Sequence, residues 1–224
     1  MTSAISILFV PTHITEANQA QARSLYQLLE GATYDTIVFA ERRADEPVKK
    51  LPMPSVSEFR TADGAVPVND VLRNDFCDED DDFYIDDAAY GSDMAIYAHL
   101  PHLQRVLKEF SVVSVPICDS DPAIVREFAY VMSEIMGGRN ALLVIASELQ
   151  VSEQAHWERI GEHIESKSIS NVFNLVNSGA FHMNGSEAFV GGLLVAEAWG
   201  LDIDFRPGTK PGESLNCGLA YAGA

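Results

Sequence analysis

Basic residues are scarce in this sequence. Its 224 residues hold 15 lysines and arginines against 33 aspartates and glutamates, a formal net charge of −18. A surface so negative repels phosphate backbones and anionic headgroups, which argues against nucleic-acid binding and against attachment to a membrane surface. Cysteine is also rare. Cys77, Cys118 and Cys217 lie far apart with no Cys-x-x-Cys pair, which excludes a disulfide framework and fits a reducing, cytoplasmic compartment. No apolar run approaches the length of a membrane span, and no signal-peptide pattern opens the chain. Chemical motifs are missing as well. There is no G-x-S-x-G nucleophile elbow, no G-x-G-x-x-G and no phosphate-binding P-loop.

What is present is a core. Hydrophobic residues make up 47% of the chain, enough for one large α/β domain spanning 1–224. "AISILFVPTH" reads as a buried strand ending at Pro11, "TEANQAQARSLYQLLEGA" as a helix stopped by Gly31, and "YDTIVFAE" as a second buried strand. Strand, helix and strand at this spacing form a βαβ unit, which predicts a parallel pair. Residues 41–92 read as an irregular, acidic excursion broken by Pro47, Pro52, Pro54 and Pro67. Eight carboxylates between Asp75 and Asp87 lack the order of a calcium loop, so that stretch is expected to be a solvated surface loop.

A helix is predicted from Asp93 to about Phe110. "SVVSVPIC" and "NALLVIASE" are predicted strands flanking a helix that starts at Asp121 and Pro122. Further helices follow over 152–179 and 186–200, and "LDIDFRPG" and "SLNCGLAYAGA" close the pattern as strands. The alternation predicts a mostly parallel central sheet with helices on both faces.

In such sheets ligands gather beyond the carboxyl ends of the strands. That rule selects His13 after the first strand, Glu41 and Arg42 after the second, and Glu148 after the fourth. His13 with Glu41 and Glu148 would make a donor set a divalent metal accepts. Asn184 stands before a helix with Glu187 three residues on, the spacing of a capping box. His99 and His102 are three apart, a spacing that shares a helical face; Pro101 between them is expected to break that face, leaving both as structural or surface residues.

Taken in order, several segments resemble the Memo-like family, system protein B of the AmmeMemoRadiSam group, related in fold to class III extradiol dioxygenases (the LigB-type fold). "ISILFVPTH" stands where that family has an apolar strand and Pro-His-Ala-Gly. "TADGAVPVND" is similar to its Thr-Pro-Leu-Gly…Val-Pro-Val-Asp, and "DMAIYAHLPHLQ" to its Glu-His-Ser-Ile-Glu-Val-Gln-Leu-Pro-Phe-Leu. "LLVIASELQ" is similar to a strand ending Ser-Ser-Asp-Phe-Ser-His, "HMNGSEAFVGGLL" to a Cys-Gly before a helix, and "GESLNCGLAYAGA" to the closing Ser-Val-Val-Gly-Tyr-Ala.

The departures fall on the residues that line the family's pocket. The histidine is displaced to His13, the Gly-Pro-Ser-His becomes Ala40–Arg43, the Glu-His-Ser becomes Asp93-Met94-Ala95, and the Cys-Gly becomes Asn184-Gly185. The resemblance therefore implies a degenerate metal pocket lined by His13, Glu41, Arg42, Asp93, Glu148 and Asn184. It implies a binding or accessory protein for a small molecule or peptide, with AMMECR1-type and radical SAM partners, and either no cofactor or a divalent metal held by His13 and Glu148. The alternative is an enzyme with a rewired carboxylate-rich metal site or an acid/base pair in the same cleft; dioxygenase activity of the family's kind is not expected.

Overall fold

The computed structural model describes residues 5–43 and 48–223; Pro47 of the predicted excursion lies outside them. The chain runs β1 (Ile5–Val10), α1 (Gln19–Gln27), β2 (Thr36–Arg42), β3 (Leu51–Met53), β4 (Glu58–Thr61), β5 (Gly64–Pro67), α2 (Asp70–Glu79) and β6 (Phe83–Ile85). It continues through α3 (Ile96–Val106), β7 (Ser111–Ile117), α4 (Pro122–Met136), β8 (Ala141–Ala146), α5 (Gln154–Glu165), α6 (Ile169–Val176), α7 (Ser186–Ala198), β9 (Leu201–Phe205) and β10 (Gly218–Ala222). This is the expected single α/β domain.

Six strands form the central sheet in the order β7-β2-β8-β1-β10-β9. The first four run parallel, and β10 and β9 join antiparallel. The predicted first βαβ unit is corrected here: β1 and β2 are parallel but not neighbours, because β8 lies between them and pairs with both. Nothing local announces that insertion.

Strand alternation decides the two cores. Ile7, Phe9, Val38, Ala40, Leu143 and Ile145 face one side, with α4 and α7 packed above them. Leu8, Val10, Ile37, Phe39, Leu142 and Val144 face the other, with Leu25 of α1 and Leu100 and Leu103 of α3. Fully buried strands of this kind read as continuous apolar runs, which is why the sequence revealed them.

The excursion is more ordered than expected. The acidic stretch begins inside α2, capped by Asn69, whose side chain accepts the Leu72 N–H at 3.0 Å, and passes through β6, which pairs parallel with β3. Phe76 and Phe83 stack in the core at 5.6 Å between centroids while the carboxylates face outward. The long helix predicted from Asp93 begins only at Ile96 and ends at Val106, and it runs through Pro101 without stopping. The segment predicted helical over 152–179 divides into α5 and α6.

Candidate functional site

The carboxyl ends of β1, β2 and β8 lie side by side, since Ala146 pairs with Val10 on one flank and Glu41 on the other. The residues predicted from strand ends are therefore brought to one rim, and they divide into those tied to distant elements and those tied only to near neighbours.

Glu41 and Arg42 belong to β2 itself instead of following it. Glu41 is 2% exposed. Its carboxylate accepts the Ala95 N–H at 2.8 Å and the Ile96 N–H at 3.3 Å. Helix α3 has no side-chain cap of its own, so a residue from a neighbouring strand satisfies its first orphan donors. Burial pushes the Glu41 carboxyl up to about 7, against the two backbone N–H groups that favour its charged form. Asp93, predicted to line the pocket, is exposed and forms an ion pair with Arg43 at 3.0 Å.

Arg42 Nε contacts Glu187 at 2.9 Å with both side chains largely buried, and Arg42 donates a second bond to the Ile117 carbonyl at 3.1 Å. Glu187 is in the first turn of α7. Its partner is 145 positions away, so a capping box was the only role its spacing suggested. That expectation is corrected: the residue before α7 is Gly185, left-handed at φ 70°, and no side chain caps the helix. Asn184 instead pairs backbone to backbone with Glu148, through N–H to carbonyl bonds of 2.7 and 2.9 Å. Gly185 is required where it stands. A Cβ there would sit 2.6 Å from the Ala146 carbonyl oxygen and 3.1 Å from Ser147 Cα.

What remains is His13 with Glu148, whose carboxylate accepts the Gln150 side-chain amide. His13 is exposed on the turn after β1, and Glu148 is half-buried just beyond β8. Burial raises the Glu148 carboxyl above its ordinary range, while the charge and backbone of His13 and the side-chain amide of Gln150 pull it back toward the charged form. A half-buried carboxylate thus lies beside the His13 turn at adjacent strand ends.

The donor set does not fit a non-haem iron centre. Among the described residues no three histidine, cysteine, aspartate or glutamate side chains converge as metal ligands. The Glu41 oxygens are taken by the start of α3. His99, another imidazole near this end, is fully buried, with Nδ1 bonded to the Tyr26 hydroxyl at 2.7 Å and Tyr26 stacked on His102 at 5.4 Å. His102 is half-buried, and α3 carries both histidines past Pro101 unbroken, contrary to the expected break of their shared face. A cavity of about 630 Å3 opens at the other end of the sheet, between Pro67, Lys108 and Ser111, and takes no part in the rim.

No helix among the described residues is long and apolar enough to cross a membrane. No family model matches the chain, and no curated protein matches it. Among solved structures, the crystal structure of uncharacterized protein JW3007 from Escherichia coli K12 is similar, at 15% sequence identity and a TM-score of 0.61, over 97% of this chain and 98% of that one. A likeness at that identity, running the length of both chains, is a likeness of fold.

Proposed function

We propose that this chain is a binding or accessory protein that takes a small molecule or the end of a peptide at the rim between His13 and Glu148. The observation that carries the reading is the division of labour among the rim charges. Glu41, Arg42 and Asp93 are each committed to another part of the protein, whereas His13 is exposed beside a half-buried carboxylate. A site with one imidazole and one carboxylate suits hydrogen-bonded recognition of a polar group. The order of sequence motifs supports a Memo-like ancestry with a degenerate pocket, and AMMECR1-type and radical SAM proteins are the partners that ancestry suggests.

A second reading is favoured by one feature, the raised Glu148 carboxyl beside an imidazole. In a rewired enzyme the two would exchange a proton with substrate as acid and base.

Two measurements test the proposal. Protein purified without chelator is titrated with iron(II), zinc and manganese. Stoichiometric binding abolished by His13→Ala would overturn the metal-free reading and favour a metal-dependent enzyme. A fragment library screened by amide chemical-shift mapping is expected to give hits clustering at 11–14, 147–150 and 182–186. Hits confined to the cavity at the opposite sheet end would refute the site.

A further inference from the structure

Beneath Glu148 lies a set of polar side chains that the site as described does not use. Ser147, Ser214 and Asn216 are all fully buried. Burying an asparagine amide costs several kcal/mol unless its donors and acceptors are matched. Here they are. Asn216 Oδ1 accepts the Leu149 N–H at 2.8 Å and the Ser214 hydroxyl at 2.7 Å, and Asn216 Nδ2 donates to Ser147 Oγ at 2.7 Å.

The two residues that Asn216 holds, 147 and 149, are the neighbours of Glu148 in the chain. Their backbones are fixed as well. The Ser147 N–H donates to the Val10 carbonyl at 2.9 Å, the last residue of β1 before the turn that carries His13. Leu149 accepts the Leu215 N–H at 2.8 Å. Ser214 is tied to α1, since Gln21 Nε2 donates to its carbonyl at 2.7 Å and Gln21 Oε1 accepts its N–H at 2.9 Å. A leucine at 216 would bury more apolar surface, but it would take away the Ser147 hydroxyl's partner and leave the Leu149 N–H only its longer bond to Ser214 Oγ at 3.2 Å.

We infer that Asn216 is a positioning residue: by gripping Ser147 and Leu149 on either side of Glu148, it holds that carboxylate against the His13 turn. The inference rests on His13 and Glu148 forming the site. Asn216 is sealed from solvent, so it acts only through Glu148.

The test follows the Glu148 carboxyl by NMR titration in the full chain. Wild-type Glu148 is expected to titrate above the ordinary glutamate range. In folded Asn216→Ala its midpoint is expected to fall by ~0.5 pH unit or more, as the loosened carboxylate regains solvent. Ser147→Ala, which removes only one of the three bonds, serves where the larger change unfolds the protein, and a smaller fall in the same direction is expected. A merely structural asparagine would lower stability and leave the midpoint where it was; that result in both variants overturns the inference. An ordinary midpoint in the wild type instead refutes the reading of the rim, a separate and distinguishable failure.

Discussion

Two buried titratable residues set opposing pH dependences. Burial drives the His99 imidazole down to about 3, so below the ordinary histidine value of 6.5 the unfolded chain takes up a proton that the folded one refuses. Stability from this source is complete above 6.5 and is lost as the pH falls. Glu41 behaves inversely, because its carboxyl is raised to about 7 and the folded chain holds a proton that the unfolded one has released. Its contribution is full below the ordinary 4.5 and is lost as the pH rises through 7. Each slope is of the order of 1 kcal/mol per pH unit. Between 4.5 and 6.5 the two oppose one another, and the wild type is expected to show a flat profile there in urea unfolding. His99→Gln should leave a stability that rises as the pH falls across that window, and Glu41→Gln one that drops. Equal slopes in both variants would refute the assignment. Gly185 offers a steric test. Gly185→Ala adds a left-handed strain to a collision with the Ala146 carbonyl, and a loss of about 2–4 kcal/mol is expected from denaturant midpoints.

Among the elements, α7 owes its seat to two contacts that no local pattern announces. Gly191 and Gly192 leave room for Phe128 of α4 and for Ile145 and Phe9 of the sheet, each closer than 3.0 Å to a built Cβ. The Arg42–Glu187 pair then ties the start of the helix to β2. Removing either partner strands a largely buried charge, so Arg42→Ala and Glu187→Ala should each destabilise strongly. The double variant should lose less than their sum, by a coupling of about 1–3 kcal/mol in a denaturation cycle. Strands and helices were legible in the sequence wherever burial imposed a period, as in "ISILFV" and "ALLVIA". The seat of Glu41 was not, because its place at the strand end is local but its partners, the Ala95 and Ile96 N–H groups, come from tertiary packing. Asn216 escaped for the same reason. A lone polar residue in "SLNCGLAYA" gives no sign that it lies under Glu148. Acidic density in 75–87 suggested a loop because charge was weighed above Phe76 and Phe83, whose stacking anchors α2 and β6. That His13 and Glu148 lie at one rim was legible because position after a strand is a local signal that the fold converts directly into proximity.

For the molecule as a whole, the charge of −18 sets a further expectation. Exposed pairs such as Arg60–Glu58 and Arg206–Asp204 contribute at most about 1 kcal/mol each. Repulsion among the excess carboxylates acts across the entire surface and is screened by salt. Raising sodium chloride from about 0.02 M to about 0.5 M shortens the Debye length to a few ångströms, and thermal melts should shift upward; a downward shift would mean that the ion pairs outweigh the repulsion. The sheet order carries a kinetic consequence. Strand β1 occupies an interior position, yet its two partners, β8 and β10, enter the chain more than 130 and 200 residues later. The antiparallel β9–β10 pair can form on its own, but β1 has no sequence-local partner, and its register is settled only after very long loops have closed. Refolding should therefore be slow for a domain of this size, with protection of the β1 amides among the last to appear in pulsed hydrogen exchange. The turn bearing His13 hangs from that late strand, so the rim that joins it to Glu148 comes into being only as the sheet itself is completed.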